Sequence, residues 1–334
     1  MRENENPQGA AVFPPVRKDD GMTSDRWPSL DYGAWKDTRD TLHLWTQVVG
    51  KVRLALTPWL NHSWHVALYV TARGLTTGPM PCGVRETQID FDFIDHVLWL
   101  RTSEGHFRQI VLKPMPVAEF YGEVMAALAA LGVDVRINPM PSEIPGAVPF
   151  DEDTAHQAYD PDYAHRFWRV LASSQRVFEL FRTSFLGKVS PVNFFWGSFD
   201  LAVTRFSGRK APLHPGGVPG LPDDVAREAY SHEVSSAGFW PGSTGPVEYP
   251  AFYSYAYPAP EGFAAAEVQP AQAFFSKELG EFILPYDAVR QAADPEAALM
   301  AFLQSTYVAA ADLGHWDRAL LECELGAPNK VRPV

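Results

Sequence analysis

Apolar side chains return every three or four residues between Ala34 and Leu56. Leu42, Trp45, Val49, Val52 and Leu56 share one face, which predicts a helix ended by Pro58. His65 to Thr71 then reads as a strand. Over residues 87–93 (TQIDFDF) the pattern becomes a strict alternation, with Ile89, Phe91 and Phe93 on one face and Asp90 and Asp92 on the other. Val97 to Arg101 and Phe107 to Leu112 flank SEGH, a hairpin signal. Val117, Phe120, Val124, Leu128 and Leu131 form a second helical stripe, opened by Pro116 and closed by Gly132, after which Val133 to Ile137 returns as a short strand.

Further on, Asp160-Pro161 and Asp294-Pro295 each read as an N-cap followed by proline in the first turn. The first helix carries Phe167, Leu171, Phe178, Phe181 and Phe185 and stops near Gly187; the second runs through Leu299, Phe302, Leu303 and Thr306 to about Leu313. Strands are expected between them at 192–205, 230–236, 251–257, 273–276 and 281–285, with a Pro/Gly loop at 207–222. Each half therefore runs helix, antiparallel strands, helix, and VTARG (70–74) echoes VTRFSG (203–208). The expectation is an α+β fold of two related halves, a diverged internal duplication packed around a shared or facing sheet pair. Its parts are a disordered tail at 1–26, an N-terminal half at 27–137, a Pro- and acid-rich linker at 138–160, a C-terminal half at 161–316 and a tail at 317–334.

Composition narrows the function classes. The chain has 334 residues, ten of them Trp and 21 Phe, enough for a large core or an aromatic-lined pocket. A net charge of -12 argues against a general nucleic-acid binder and disfavours an anionic membrane surface. The two cysteines, Cys82 and Cys323, form no CxxC spacing, which argues against a disulfide framework or a thiolate zinc site and for a reducing cytoplasm. No apolar leader region and no long uncharged apolar run occur, so neither secretion nor a membrane span is expected. No GxGxxG follows a strand and no GxxxxGK[ST] is present, so the common nucleotide sites are not indicated.

Candidate chemistry concentrates in Ser190 to Arg209 and Tyr230 to Gly242. Asp200 lies between Phe199 and Leu201 in a strand apolar on both faces, so its carboxylate needs a partner or a ligand. Arg205, five residues on, faces the other side of a regular strand. His232 is an acid/base candidate near neutral pH, with Glu233 beside it, but HExxH and GxSxG motifs are absent. Tyr253, Tyr255 and Tyr257 alternate on one face, which suits packing across strands or a pocket wall. His62 and His65 would share a metal only if the backbone turned between them, because strand positions three apart face opposite ways. Asp90 and Asp92 fit a solvated outer face, and His214 a lid loop.

The leading expectation is a small-molecule pocket between the halves, with catalysis left open. Its catalytic set is His232, Glu233 and Asp200, and its ligand-binding set is Arg73, Trp196, Arg205 and Tyr255, the arginines holding an anionic group. The rivals are a non-catalytic interaction scaffold and a metalloenzyme using His62 and His65. No cofactor, reaction or oligomeric state is specified.

Six long stretches carry a resemblance: WPSLDYGAWKDTRDTLHLWTQVVGKVRLAL, NHSWHVALYVTARGLTT, IDFDFIDH, NFFWGSFDLAVTRFSGR, SHEVSSAGFWPG and LPYDAVR. By these the chain resembles, from Trp27 to about Trp316, a bacterial family known only as domain of unknown function 5996. In that family's pattern a histidine often stands where this chain has Asn193. The resemblance implies no activity, substrate or catalytic residue.

Overall fold

Asp31 and Asp160 explain where the first two long helices begin. Asp31 accepts from the Ala34 amide at 2.9 Å and starts α1 (Tyr32–Leu56); Asp160 accepts from the Asp162 and Tyr163 amides and starts a helix at Pro161. The computed structural model describes residues 26–218, 220–243 and 247–332, so the tail expected at 1–26 lies outside them except for Arg26.

After α1, the N-terminal half continues with β1 (Tyr69–Val70), β2 (Gly74–Thr76), β3 (Met80–Cys82), β4 (Arg85–Asp92), β5 (Val97–Thr102), β6 (Phe107–Val111) and α2 (Val117–Ala130). The C-terminal half holds α3 (Pro161–Arg182), β7 (Asn193–Phe195), β8 (Asp200–Lys210), α4 (Asp223–Ala229), β9 (His232–Trp240), β10 (Ala251–Tyr257), β11 (Phe274–Ser276), β12 (Glu281–Pro285), α5 (Tyr286–Arg290) and α6 (Pro295–Leu313), and the segment expected as a C-terminal tail holds α7 (Arg318–Leu321). The chain is α+β, and the strands of the described residues form two antiparallel sheets. The first sheet runs β1-β2-β4-β5-β6, with β3 also on β4; the second runs β11-β12-β10-β9-β8-β7. They meet where Leu68 and Phe194 exchange both backbone hydrogen bonds, each 2.9 Å.

The apolar face of β4 is buried as the alternation predicts, but Asp92, expected with Asp90 on a solvated outer face, is 5% exposed and paired with Arg73. Ile89, Phe91 and Phe93 are buried, and Phe91 stacks on Phe120 of α2, which stacks in turn on Trp45 of α1. On the opposite face Asp90 binds Thr76, Gln88 and Arg101 at the surface. One contiguous core takes residues from both halves, with Trp35 of α1 against Phe167 of α3. In the second sheet, α3 and α6 cover one face, buried by Leu201 and Val203 of β8, Phe239 of β9 and Phe252 of β10. Period two then aims the alternate residues of these strands at the other face, where the candidate site lies.

The structure departs from expectation at several places. The strand expected at 192–205 is two strands, because the chain turns at Trp196–Phe199, where Phe199 has φ +57°. The strand expected from His65 shrinks to Tyr69–Val70, because residues 61–66 turn, with positive φ at His62 and Ser63. Residues 133–137 join no ladder. The loop expected at 207–222 is strand as far as Lys210 and is followed by α4. Among the described residues, no helix is long and apolar enough to cross a membrane.

The Asp160 cap yields a direct test. Asp160→Ala leaves two amides of the first turn of α3 without an acceptor and is expected to cost about 1 kcal/mol in urea denaturation, whereas Asp160→Asn should cost only a few tenths. Equal losses in the two variants would show that the carboxylate charge, rather than the capping bond, is what matters.

Candidate functional site

Asp200, Ala202 and Thr204 of β8, Ser236 and Trp240 of β9, and Tyr253 and Tyr255 of β10 share the face of the second sheet that α3 and α6 do not cover. Glu281, opening β12, completes this floor. α4, the turn at 61–66 and the turn at 142–143 close over it and leave a cavity of about 540 Å³.

α1 holds one wall in place through polar side chains. Gln47 accepts from the Ser142 amide at 2.7 Å and donates to the Ser142 carbonyl at 2.8 Å, while Lys51 donates to Ser142 Oγ at 3.0 Å. Glu143 follows in the left-handed region at φ +60°. Its carboxyl lies against the bare backbone of Gly197, where a Cβ would come within 2.1 Å of Glu143 Oε1. The Trp196 indole rests on Gly50 of α1 and donates from Nε1 to the Val66 carbonyl at 2.8 Å. His43, beneath, is pushed down to about 3 by burial, so it is neutral and its Nε2–H can donate to the Gly197 carbonyl at 2.9 Å.

Backbone strain collects here. His62, Ser63, Glu143 and Phe199 all hold positive φ without being glycine, at 59°, 56°, 60° and 57°, and all four lie in or beside the cavity walls. Each costs on the order of 1 kcal/mol and persists only where its surroundings over-determine it, as they do around binding sites.

The electrostatics are one-sided. Asp200, 4% exposed, accepts from Ser198 Oγ at 2.5 Å and from the Tyr253 hydroxyl. Burial nevertheless pushes its carboxyl up to about 6, because the two donors only partly offset desolvation. Burial, with the Asp200 charge adding to it, pushes Glu143 up to about 7 and Glu281 up to about 8. Glu281 Oε2 is fully buried with no hydrogen-bond partner. Burial also raises the Tyr230, Tyr253 and Tyr255 hydroxyls, so all three stay protonated at neutral pH, and those of Tyr230 and Tyr255 are 2.9 Å apart. Among the described residues, no Lys or Arg lines the cavity.

Gly238 makes the Asp200–Tyr253 pair possible. A Cβ there would lie 2.3 Å from the Tyr253 hydroxyl and 2.5 Å from the Leu201 carbonyl, so the phenol lies across β9 only because the side chain is missing. Gly238→Ala is therefore expected to cost about 2 kcal/mol in urea denaturation and to pull Tyr253 off Asp200. Wild-type stability in this variant would contradict that packing.

Of the residues singled out from sequence, Trp196, Asp200, Tyr255 and His62 line the cavity. His232 stands beside its wall, its ring 6.0 Å from that of His62 and its Nδ1 bonded to Ser231 Oγ at 3.1 Å. Three others are turned away. Glu233 points to the opposite side of β9 and accepts from Arg209 at 2.6 Å and Ser207 at 2.8 Å. Arg73 sits on the first sheet, bound to Asp92 at 2.5 Å and Asp95 at 2.6 Å. Arg205 lies behind β8 among Phe181, Phe185 and Tyr307. The anion-holding role expected of the two arginines thus has no geometry to support it. His62 and His65 do not converge either. His62 lies between the Ala229 carbonyl (2.8 Å) and Lys188 Nζ (2.6 Å), whereas His65 accepts from the Leu60 amide at 3.3 Å and packs on Trp59. Among the described residues, no group of three His, Cys, Asp or Glu side chains is placed to hold a metal ion. His214, expected in a lid, stacks on Tyr230 at 4.7 Å.

Sequence reasoning missed Glu143, Glu281, Tyr230 and Trp240. Glu281 had a signal, a lone acid opening the apolar strand EFILP. Glu143 had none, because its position depends on Gln47, 95 residues before Ser142.

Compared with known proteins, the chain matches the family described as "Family of unknown function (DUF5996)" over residues 27–323 and belongs to it. No curated protein and no solved structure matches.

Proposed function

Because that family brings no activity with it, function must be read from the cavity itself, and we propose that the chain binds a small organic molecule there. The site lies where a turn of the N-terminal half and the linker meet the sheet of the C-terminal half. One observation carries this reading: Glu143, Asp200 and Glu281 come from three separate segments to one aromatic-walled cavity, and each is costly to keep there. A fold that needed only stability would place apolar side chains at these positions. Trp196 and Tyr255 supply apolar surface for the ligand, and Asp200 and His62 supply polar contacts. Asp200, raised to about 6 and next to the Tyr253 hydroxyl, and Glu143, raised to about 7, are the groups suited to exchange a proton with a bound molecule. Cys82 and Cys323 are both free, which supports a reducing compartment.

A thermal-shift screen over common metabolites tests the reading. Ala202, between Asp200 and Thr204 on the floor, is the control position: Ala202→Trp should plug the cavity. A ligand at ~100 times its Kd stabilises wild type by ~2.7 kcal/mol, a shift the plugged variant should lack. Hits that stabilise both proteins equally would place binding elsewhere and overturn the proposal.

A further inference from the structure

We propose that the occupant of this cavity is an organic cation, an amine whose ammonium group sits against Glu143, Asp200 and Glu281 while its apolar body lies along the aromatic wall. The assignment rests on reading the cavity as a ligand site, and it follows from what lines it.

Three carboxyl groups face the space and no Lys or Arg does, among the described residues. His62, the one imidazole in the wall among the described residues, is held below its usual range chiefly by burial and so adds no positive charge at neutral pH. The nearby lysines do not line the cavity and are already engaged with residues of its wall. Lys51 donates to Ser142, and Lys188 contacts His62 Nε2, with Glu228 accepting from the His62 amide. His232 is bonded to Ser231, and the Tyr230, Tyr253 and Tyr255 hydroxyls are uncharged donors. An anionic ligand would meet three acids and no counter-charge. A neutral ligand without a donor would leave Glu281 Oε2 buried and unpartnered. A protonated amine supplies three N–H donors and one positive charge, which relieves that orphan and pairs with the carboxylate that shares its space.

The walls suit the rest of such a molecule. Trp240 packs on Tyr253 at 4.5 Å, and Tyr253 stacks on Tyr255 at 6.1 Å, giving an aromatic bank beside Asp200 and Glu281. Rings of this wall already hold cations: Lys51 lies 5.8 Å from Trp196, and Lys188 lies 5.2 Å from Trp64 and 4.7 Å from Phe206.

The acids also predict a pH dependence. They hold protons in the empty site and must release them to solvent when an ammonium binds, so cation affinity rises as pH rises through 6 to 8. An alkyl amine, with a pKa of about 10.4 by analogy with lysine, stays charged throughout.

Calorimetric titration of the full chain with phenethylammonium, 2-phenylethanol and phenylacetate, at pH 5.5 and pH 8.5, separates the outcomes. The expected result at pH 8.5 is phenethylammonium binding at least ~10-fold tighter than the alcohol, with phenylacetate weakest. Its affinity should fall ~10-fold at pH 5.5 while that of the alcohol stays constant. Glu281→Gln imitates the protonated acid and so preserves the fold; it should weaken the ammonium ~5-fold and affect the alcohol much less. If the alcohol or phenylacetate binds as tightly as the ammonium at pH 8.5, the cation assignment is overturned and the cavity remains a ligand site. If none of the three binds at millimolar concentration, the cation assignment is overturned, and the ligand reading stands or falls on the Ala202→Trp screen.

Discussion

Arg205→Ala is expected to lower the unfolding free energy by ~3–5 kcal/mol, while Arg205→Met should cost ~1 kcal/mol or less. Arg205 is 1% exposed, with its guanidinium 3.5 Å from the Phe181 ring centroid and 4.3 Å from that of Tyr307. It donates to the Phe181 carbonyl and to Ser184 Oγ, but Nε and Nη1 have no partner, and burial depresses its pKa to about 10. The charge itself is therefore a liability, and the site's stability comes from filled volume and cation–π contact. Methionine keeps the volume and removes the unpartnered donors; alanine leaves a void beneath α3. Urea denaturation of both variants decides the matter. Equal, large losses would mean that the two hydrogen bonds, not the packing, hold this part of the sheet.

The second large effect depends on pH. Glu281 in the folded chain is raised to about 8 from 4.5, chiefly by burial. A raised folded pKa means that the folded state holds a proton which the unfolded state releases. The stability associated with that proton is present below about 4.5 and is lost as pH rises through about 8. With a discount for partial exposure, the loss amounts to on the order of 2–4 kcal/mol by pH 8.5. Glu281→Gln removes the titration. Without added ligand, its Tm should exceed that of wild type clearly at pH 8.5 and only slightly at pH 5. A Tm difference independent of pH would show that Glu281 does not titrate between those limits.

Local periodicity made α1, α2, α3 and α6 legible, and the Asp-Pro caps located two of their starts. The strands of the second sheet were legible because turn residues punctuate them, although the run from 192 was read through its Gly197-Ser198 turn, where apolar residues continue on both sides. α4 went unread because seven residues with only Ala226 buried show no apolar period. The site was half legible for the same kind of reason. Asp200 announced itself as an acid among apolar neighbours, and parity alone put Arg205 on the other face. Glu143 depends on hydrogen bonds from Gln47 to a turn far along the chain, and Glu233 on Arg209, and neither pairing leaves a local trace.

The central claim is that the cavity over β8, β9 and β10 holds a small molecule. Wild-type protein and Ala202→Trp, each dialysed against a small-molecule cell extract and then washed and denatured, can be compared by mass spectrometry of what is released. The account predicts at least one compound retained by wild type, near one per chain, and absent from the plugged variant. Identical retained sets from a folded Ala202→Trp would contradict it.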